Sequence, residues 1–244
     1  MKKVKVKEEF ELVNCNSFSK EQVELCISSA TLRYKNLLIP TEMLTDIVKK
    51  KIILFAYGIS TTRVEKEHID CIKAQAAILY QVFQELAKVC NFDPIEELLR
   101  GRPCDSLSMW RIFLDPKLLQ GCLDFVPDHK DEVSCLSSNS KPGEWVPVLG
   151  IEVPKSLLRD AAEMQSNDWI ERCNNFASDA EAEGYPRPDF LHKLRRMSIL
   201  SDMLVTLLDG GDVGKNSPSG CDEAWTEEDW QEAYKLFIIK EENS

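Results

Sequence analysis

Residues 69–90 read Ile69-Asp70-Cys71-Ile72-Lys73-Ala74-Gln75-Ala76-Ala77-Ile78-Leu79-Tyr80-Gln81-Val82-Phe83-Gln84-Glu85-Leu86-Ala87-Lys88-Val89-Cys90. Within this stretch Ile69, Ile72, Ala76, Leu79, Phe83, Leu86 and Cys90 recur at alternating steps of three and four. A helix turns once in 3.6 residues, so these side chains fall on one stripe, and Ala77, Ile78, Tyr80 and Val82 widen it. A helix apolar over so much of its circumference belongs at the centre of a bundle or at a seam with a partner. The fold class expected is all-α: an irregular multi-helix bundle around one long central helix of about 62–90, with a short irregular loop region near 127–150. The Thr62-x-x-Glu65 capping box marks where that helix opens.

Helix boundaries are written on both sides of it. Ser19 with Gln22 forms a second capping box, with Phe18 and Val23 at staple positions, and predicts a first helix over about 20–38. Its inward residues would be Val23, Ile27, Ala30, Tyr34 and Leu37, and Pro40 would end it. The next helix follows Thr41, places Leu44, Ile47, Val48 and Phe55 on one face, and has Gly58 as its expected stop. Asp93-Pro94 and Asp115-Pro116 each open a short helix, because Asp caps and Pro at the first helical position loses no hydrogen bond.

Beyond Phe125 the periodicity lapses. Pro127, Pro142, Gly143, Pro147 and Gly150, with the polar run Ser137-Ser138-Asn139-Ser140, predict a loop or linker. The chain accordingly divides into a helical half at 1–126, the linker at 127–150 and a second helical half at 151–208. A flexible tether at 209–225 and a terminal amphipathic helix at 226–241 complete it. In the second half Leu157, Leu158 and Ala161, then Trp169, Ile170, Cys173, Ala177 and Ala180, resume helical spacing up to Gly184. A further helix follows Pro188 with Phe190, Leu194, Met197, Leu204 and Leu208 on one side.

The terminal helix is the best-specified short element. Thr226 and Asp229 make a capping box, Trp225 and Trp230 stand at staple positions, and Trp230, Ala233, Tyr234, Phe237 and Ile238 form an apolar stripe. Such a helix either docks on its own domain or inserts into a partner's groove. Trp225, Trp230, Tyr234 and Phe237 are therefore the candidate partner-binding residues.

The net charge of −11 is unevenly spread. Residues 1–125 carry 18 Lys and Arg against 17 Asp and Glu, and residues 126–244 carry 12 against 24. The acidic half disfavours nucleic acid, apart from a local patch at Lys49, Lys50 and Lys51, and suits a basic or helical protein partner. The longest apolar run, Lys51 to Gly58, is too short for a bilayer, so no membrane partner is expected. The amino terminus has no apolar stretch behind its lysines, and the nine cysteines are odd in number with no Cys-x-x-Cys pair. A reduced protein of the cytoplasm or nucleus follows as the expectation.

Motifs for chemistry are weak. Gly210-Gly211-Asp212-Val213-Gly214-Lys215-Asn216-Ser217 departs from a phosphate-binding loop at Asp209 and Asn216, follows a helix rather than a strand, and reads as a linker. His68 and Cys71, with Asp70 between them, share a helix face but have no second pair to complete a metal site. Cys122, His129 and Cys135 fit no zinc-finger spacing. Glu96-Glu97 and Glu227-Glu228 sit in first turns, where the helix dipole accounts for them. No catalytic residue, metal or cofactor is expected. The function expected is a non-enzymatic protein–protein interaction or scaffold subunit of an intracellular complex. The alternative is an all-helical enzyme, with or without a metal, whose site lies around His68, Asp70 and Cys71 and is not recognisable from motifs.

Overall fold

The computed structural model describes residues 8–13, 18–22, 30–60, 66–100, 107–135, 142–183, 188–216 and 225–239. They are mainly helical, with two small sheets. The all-α expectation is corrected to that extent. The helices are α1 (Thr41–Ser60), α2 (Lys66–Cys90), α3 (Pro94–Leu99), α4 (Leu107–Leu114), α5 (Pro116–Asp124), α6 (Lys130–Val133), α7 (Lys155–Glu183), α8 (Pro188–Leu208) and α9 (Glu227–Phe237). The strands are β1 (Glu11–Leu12), β2 (Thr31–Tyr34), β3 (Leu37–Pro40), β4 (Trp145–Val148) and β5 (Ile151–Pro154). None of the described helices is long and apolar enough to cross a membrane.

The chain forms two compact units. One contains Leu12–Met43 and Ala162–Ser244, the other Glu8–Glu11 and Leu44–Ala161.

In the second of these, α2 is the central post. Ala76, Leu79, Phe83 and Leu86 of its stripe are fully buried, with Ala77, Ile78, Tyr80 and Val82 beside them. α3, α4, α5, α6 and β5 all pack against it. Tyr80 meets Phe113 at 5.0 Å and Phe83 meets Phe92 at 5.4 Å between ring centroids, tilted as aromatic quadrupoles prefer. Gln75, buried on the same helix, donates from Nε2 to the Val133 carbonyl at 2.8 Å and the Cys135 carbonyl at 3.1 Å, anchoring the end of α6.

The expected caps are in place. Asp93 accepts from the Glu96 amide at 2.8 Å and Asp115 from the Lys117 amide at 2.9 Å, with Pro94 and Pro116 in the first turns. The Thr62 and Glu65 box lies outside the described residues. Gly58 does not stop α1, which runs on to Ser60; its backbone stays out of the left-handed region that a glycine stop uses.

Two stretches read as helix or loop are hairpins instead. Within 20–38, Lys20–Gln22 are helical behind a reciprocal Ser19–Gln22 box at 3.2 and 3.3 Å, but 31–40 folds as β2 and β3. Leu32 and Tyr34 are buried and Arg33 between them is exposed, a period of two that the Tyr34–Leu37 spacing concealed. Lys35 turns the chain at φ +54°. Val23, Cys26 and Ile27 lie outside the described residues. Likewise 127–150 is no plain loop. It holds a 3-10 turn (Pro127–His129), α6 and β4, and β4 pairs antiparallel with β5 through Leu149 (φ +50°) and Gly150 (φ +83°). Left-handed backbone at both central residues matches the right-handed twist of a hairpin. The Ser137–Ser140 run lies outside the described residues.

In the other unit, β2 and β3 pair antiparallel, α9 packs on α8 and β3, and α8 also lies against β3. Ser201 Oγ donates to the Ala162 carbonyl at 2.9 Å and Ser166 Oγ to the Ser198 carbonyl at 3.3 Å, so small hydroxyls line the seam between α7 and α8.

Candidate functional site

α9 begins as its sequence dictates. Thr226 Oγ1 accepts from the Asp229 amide at 3.2 Å, and Asp229 Oδ2 accepts from the Thr226 amide at 2.9 Å. The same carboxylate faces α8, where Arg195 Nη1 stands 3.6 Å away and His192 Nδ1 3.8 Å; Arg196 reaches Glu232 at 3.2 Å. The basic run at 192–196 thus meets the acidic first turns of α9. Between these helices lies a hollow of about 540 Å³ lined by Pro40, His192, Arg196, Glu232 and Phe237 among others.

That geometry places the four candidate partner-binding residues. Trp225, Trp230 and Phe237 are buried inside their own unit, and Tyr234 is half-buried. Trp230 Nε1 donates to the Gly214 carbonyl at 3.2 Å, and the chain leaves the helix by pairing Ile238 with Leu37 and donating the Ile239 amide to the Asn36 carbonyl at 2.8 Å. Gln22 Nε2 donates to the Ile238 carbonyl at 3.0 Å.

The glycine-rich stretch before it does structural work. Gly210 sits at φ +82°, its amide donates to the Leu207 carbonyl at 3.2 Å, and the Gly211 amide donates to Thr206 at 2.9 Å. This is a Schellman stop for α8, which uses the glycines without a phosphate. Residues 217–224 lie outside the described residues.

The other weighed clusters resolve separately. Asp70 pairs with Lys73 at 2.9 Å, and burial pushes the Cys71 thiol up, reinforced by the nearby Glu132 and Asp70. Cys122 is also raised by burial. His129 stacks on Phe125 at 3.8 Å and contacts the Phe125 carbonyl through Nδ1 at 3.0 Å, while Cys135 Sγ donates to the Asp131 carbonyl at 3.2 Å. Among the described residues no three His, Cys, Asp or Glu side chains are grouped to hold a metal ion. Lys49 pairs with Glu97 and Lys51 with Asp160, so two of the three lysines of the cluster are engaged within their own unit. Glu97 is thereby accounted for, and Glu227 accepts from Gln231 at 3.1 Å.

The remaining feature was not visible as a motif. A hollow of about 600 Å³ opens between α2, the end of α5 and the β4–β5 hairpin. Its apolar wall comes from Ile78, Leu123, Val126, Trp145 and Ile151. The Lys130 ammonium lies 4.8 Å from the centroid of the Trp145 ring, a cation–π contact. Exposed carboxylates follow the lining residues along the chain: Asp124 after Leu123, Asp128 after Pro127, Asp131 after Lys130, and Glu152 itself on the rim. Of the ionised residues that line the hollow itself, Lys130 and Glu152 are one of each sign, and the three aspartates only adjoin lining residues along the chain. The sequence signal for it was the alternation in Trp145-Val146-Pro147-Val148 and Ile151-Glu152-Val153-Pro154, which the prolines masked.

The chain matches no family model, no curated protein and no solved structure.

Proposed function

We propose that the protein is a non-enzymatic interaction module that holds a basic partner chain in the hollow between α2, α5 and the β4–β5 hairpin. The observation that carries this reading is an apolar wall centred on Trp145 with the exposed carboxylate of Glu152 at its rim, in a chain of net charge −11. An apolar centre excludes water from the contact, and a charged margin steers a partner of opposite sign. The aromatic anchor is of the type that dominates interface energetics. Trp225, Trp230 and Phe237 then serve to hold α9 on its own unit, with only Tyr234 left for a partner on that face. Among the described residues Cys71, Cys122 and Cys173 are free thiols, which supports work in a reducing compartment of the cell.

The test is comparative affinity purification of the wild-type chain and Leu123→Glu, with identification of what co-purifies. Leu123 is half-buried at the wall of the hollow, so a carboxylate there desolvates against Trp145 and Val126 whenever the hollow is occupied. The expected result is a basic protein retained by wild type and lost from Leu123→Glu, with unchanged far-ultraviolet circular dichroism. Identical proteins from both chains would refute the assignment.

A further inference from the structure

The backbone register of the hairpin says how a chain can enter this hollow. Pro147 has no amide hydrogen, and its carbonyl accepts from the Phe10 amide at 2.9 Å; the Leu149 amide in turn donates to the Phe10 carbonyl at 3.4 Å. The β4 groups at 147 and 149 therefore face Phe10, and those of Val146 and Val148 face β5. Since Pro147 stands opposite Glu152, this is a non-hydrogen-bonded pair. The amide and carbonyl of Glu152 must both point away from β4, along the outer edge of β5. Among the described residues neither has a partner, and Glu152 is one of the residues that border the hollow.

An open edge beside an apolar hollow is a template for strand addition. β5 has only four residues and ends in Pro154, which limits indiscriminate pairing. Building on the docking reading above, we infer that the occupant is an extended, basic peptide segment of the partner, added as a strand along β5. One of its residues exchanges both backbone hydrogen bonds with Glu152. Its side chains on one face enter the wall formed by Leu123 and Trp145, and its lysines or arginines meet Glu152. A helix brings no free backbone donors to the edge, and an acidic segment meets the like charge of Glu152.

The probe is a displayed library of random twelve-residue peptides, panned on the full chain and followed by titration of the enriched peptides in soluble form. Glu152→Pro removes only the outward amide, at an edge position where proline is tolerated, and Glu152→Gln keeps that amide while removing the carboxylate. Expected are peptides rich in Lys or Arg around alternating apolar residues, weakened about tenfold or more by Glu152→Pro, since both a hydrogen bond and the approach of the strand are lost. Glu152→Gln should retain binding with a shallower salt dependence. Hydrogen exchange at the Glu152 amide of the wild-type chain should slow when peptide is added, a readout that needs no variant to fold. Unchanged affinity in Glu152→Pro with an unprotected Glu152 amide would overturn strand addition. So would enrichment of acidic peptides, or of none. Loss on Leu123→Glu alone leaves the docking reading standing without strand addition, whereas indifference to both substitutions removes the two together.

Discussion

Trp230→Ala should cost the unit containing α9 a large part of its stability. The indole is 2 % exposed and sits in the first turn of α9, with its Nε1 donating to the Gly214 carbonyl at 3.2 Å. Truncating a buried tryptophan to alanine removes its transfer free energy and leaves a cavity that relaxes only in part, about 3–5 kcal/mol in typical cores. The orphaned Gly214 carbonyl lies in an exposed segment and water can satisfy it, so the hydrogen bond adds only about 1 kcal/mol within that range. Against a total of about 5–15 kcal/mol for a natural domain, this is about a fifth or more. Urea denaturation followed by circular dichroism measures it, with Tyr234→Ala on the half-buried flank of the same helix as the comparison, expected to cost less than half as much. A Trp230→Ala midpoint within experimental error of wild type would refute the packing assigned to α9 and return Trp230 to the surface available for a partner.

Two further outcomes follow from other elements. Gly210→Ala should destabilise by about 1 kcal/mol in the same assay: a Cβ there has open space around it, so the cost is that of holding a non-glycine residue at φ +82°. Asp202 on α8 is raised above the usual carboxylate range, by burial first and by the nearby Glu163 second. A carboxyl raised in the folded state favours folding in its protonated form, so that contribution is present at low pH and disappears as pH rises through the raised value. Asp202→Asn should therefore raise the thermal midpoint at neutral pH, with the gain vanishing as pH falls below the ordinary aspartate value of about 3.9; a gain independent of pH would show that ionisation is not the cause.

The legible parts of the sequence were those whose causes are local. The Ser19–Gln22 and Thr226–Asp229 boxes and the Asp93 and Asp115 caps each need only residues two or three apart, and all are formed. The α2 stripe was readable because several helical turns of apolar residues admit one period only. Tyr34 and Leu37 were misread because two apolar residues three apart suit a helix as well as the two arms of a tight hairpin, and the outcome depends on burial of both strands. The Trp145–Pro154 segment failed for a related reason, its prolines being tolerated where Pro147 and Pro154 need no ladder amide.

The amino-acid sequence alone determined the mainly helical character, the helix caps, the buried stripe of α2 and the acidic bias, because each is set by the period or spacing of neighbouring residues. Tertiary structure decided where α9 lies and where the hollow opens. Trp230 presents the same apolar stripe whether it meets α8 or a partner, and only the matching of Asp229 and Glu232 with Arg195 and Arg196 across the chain selects one of them. Ile78, Leu123, Trp145 and Glu152 come from separate segments, so the apolar wall and the open edge exist only once packing has brought those segments together.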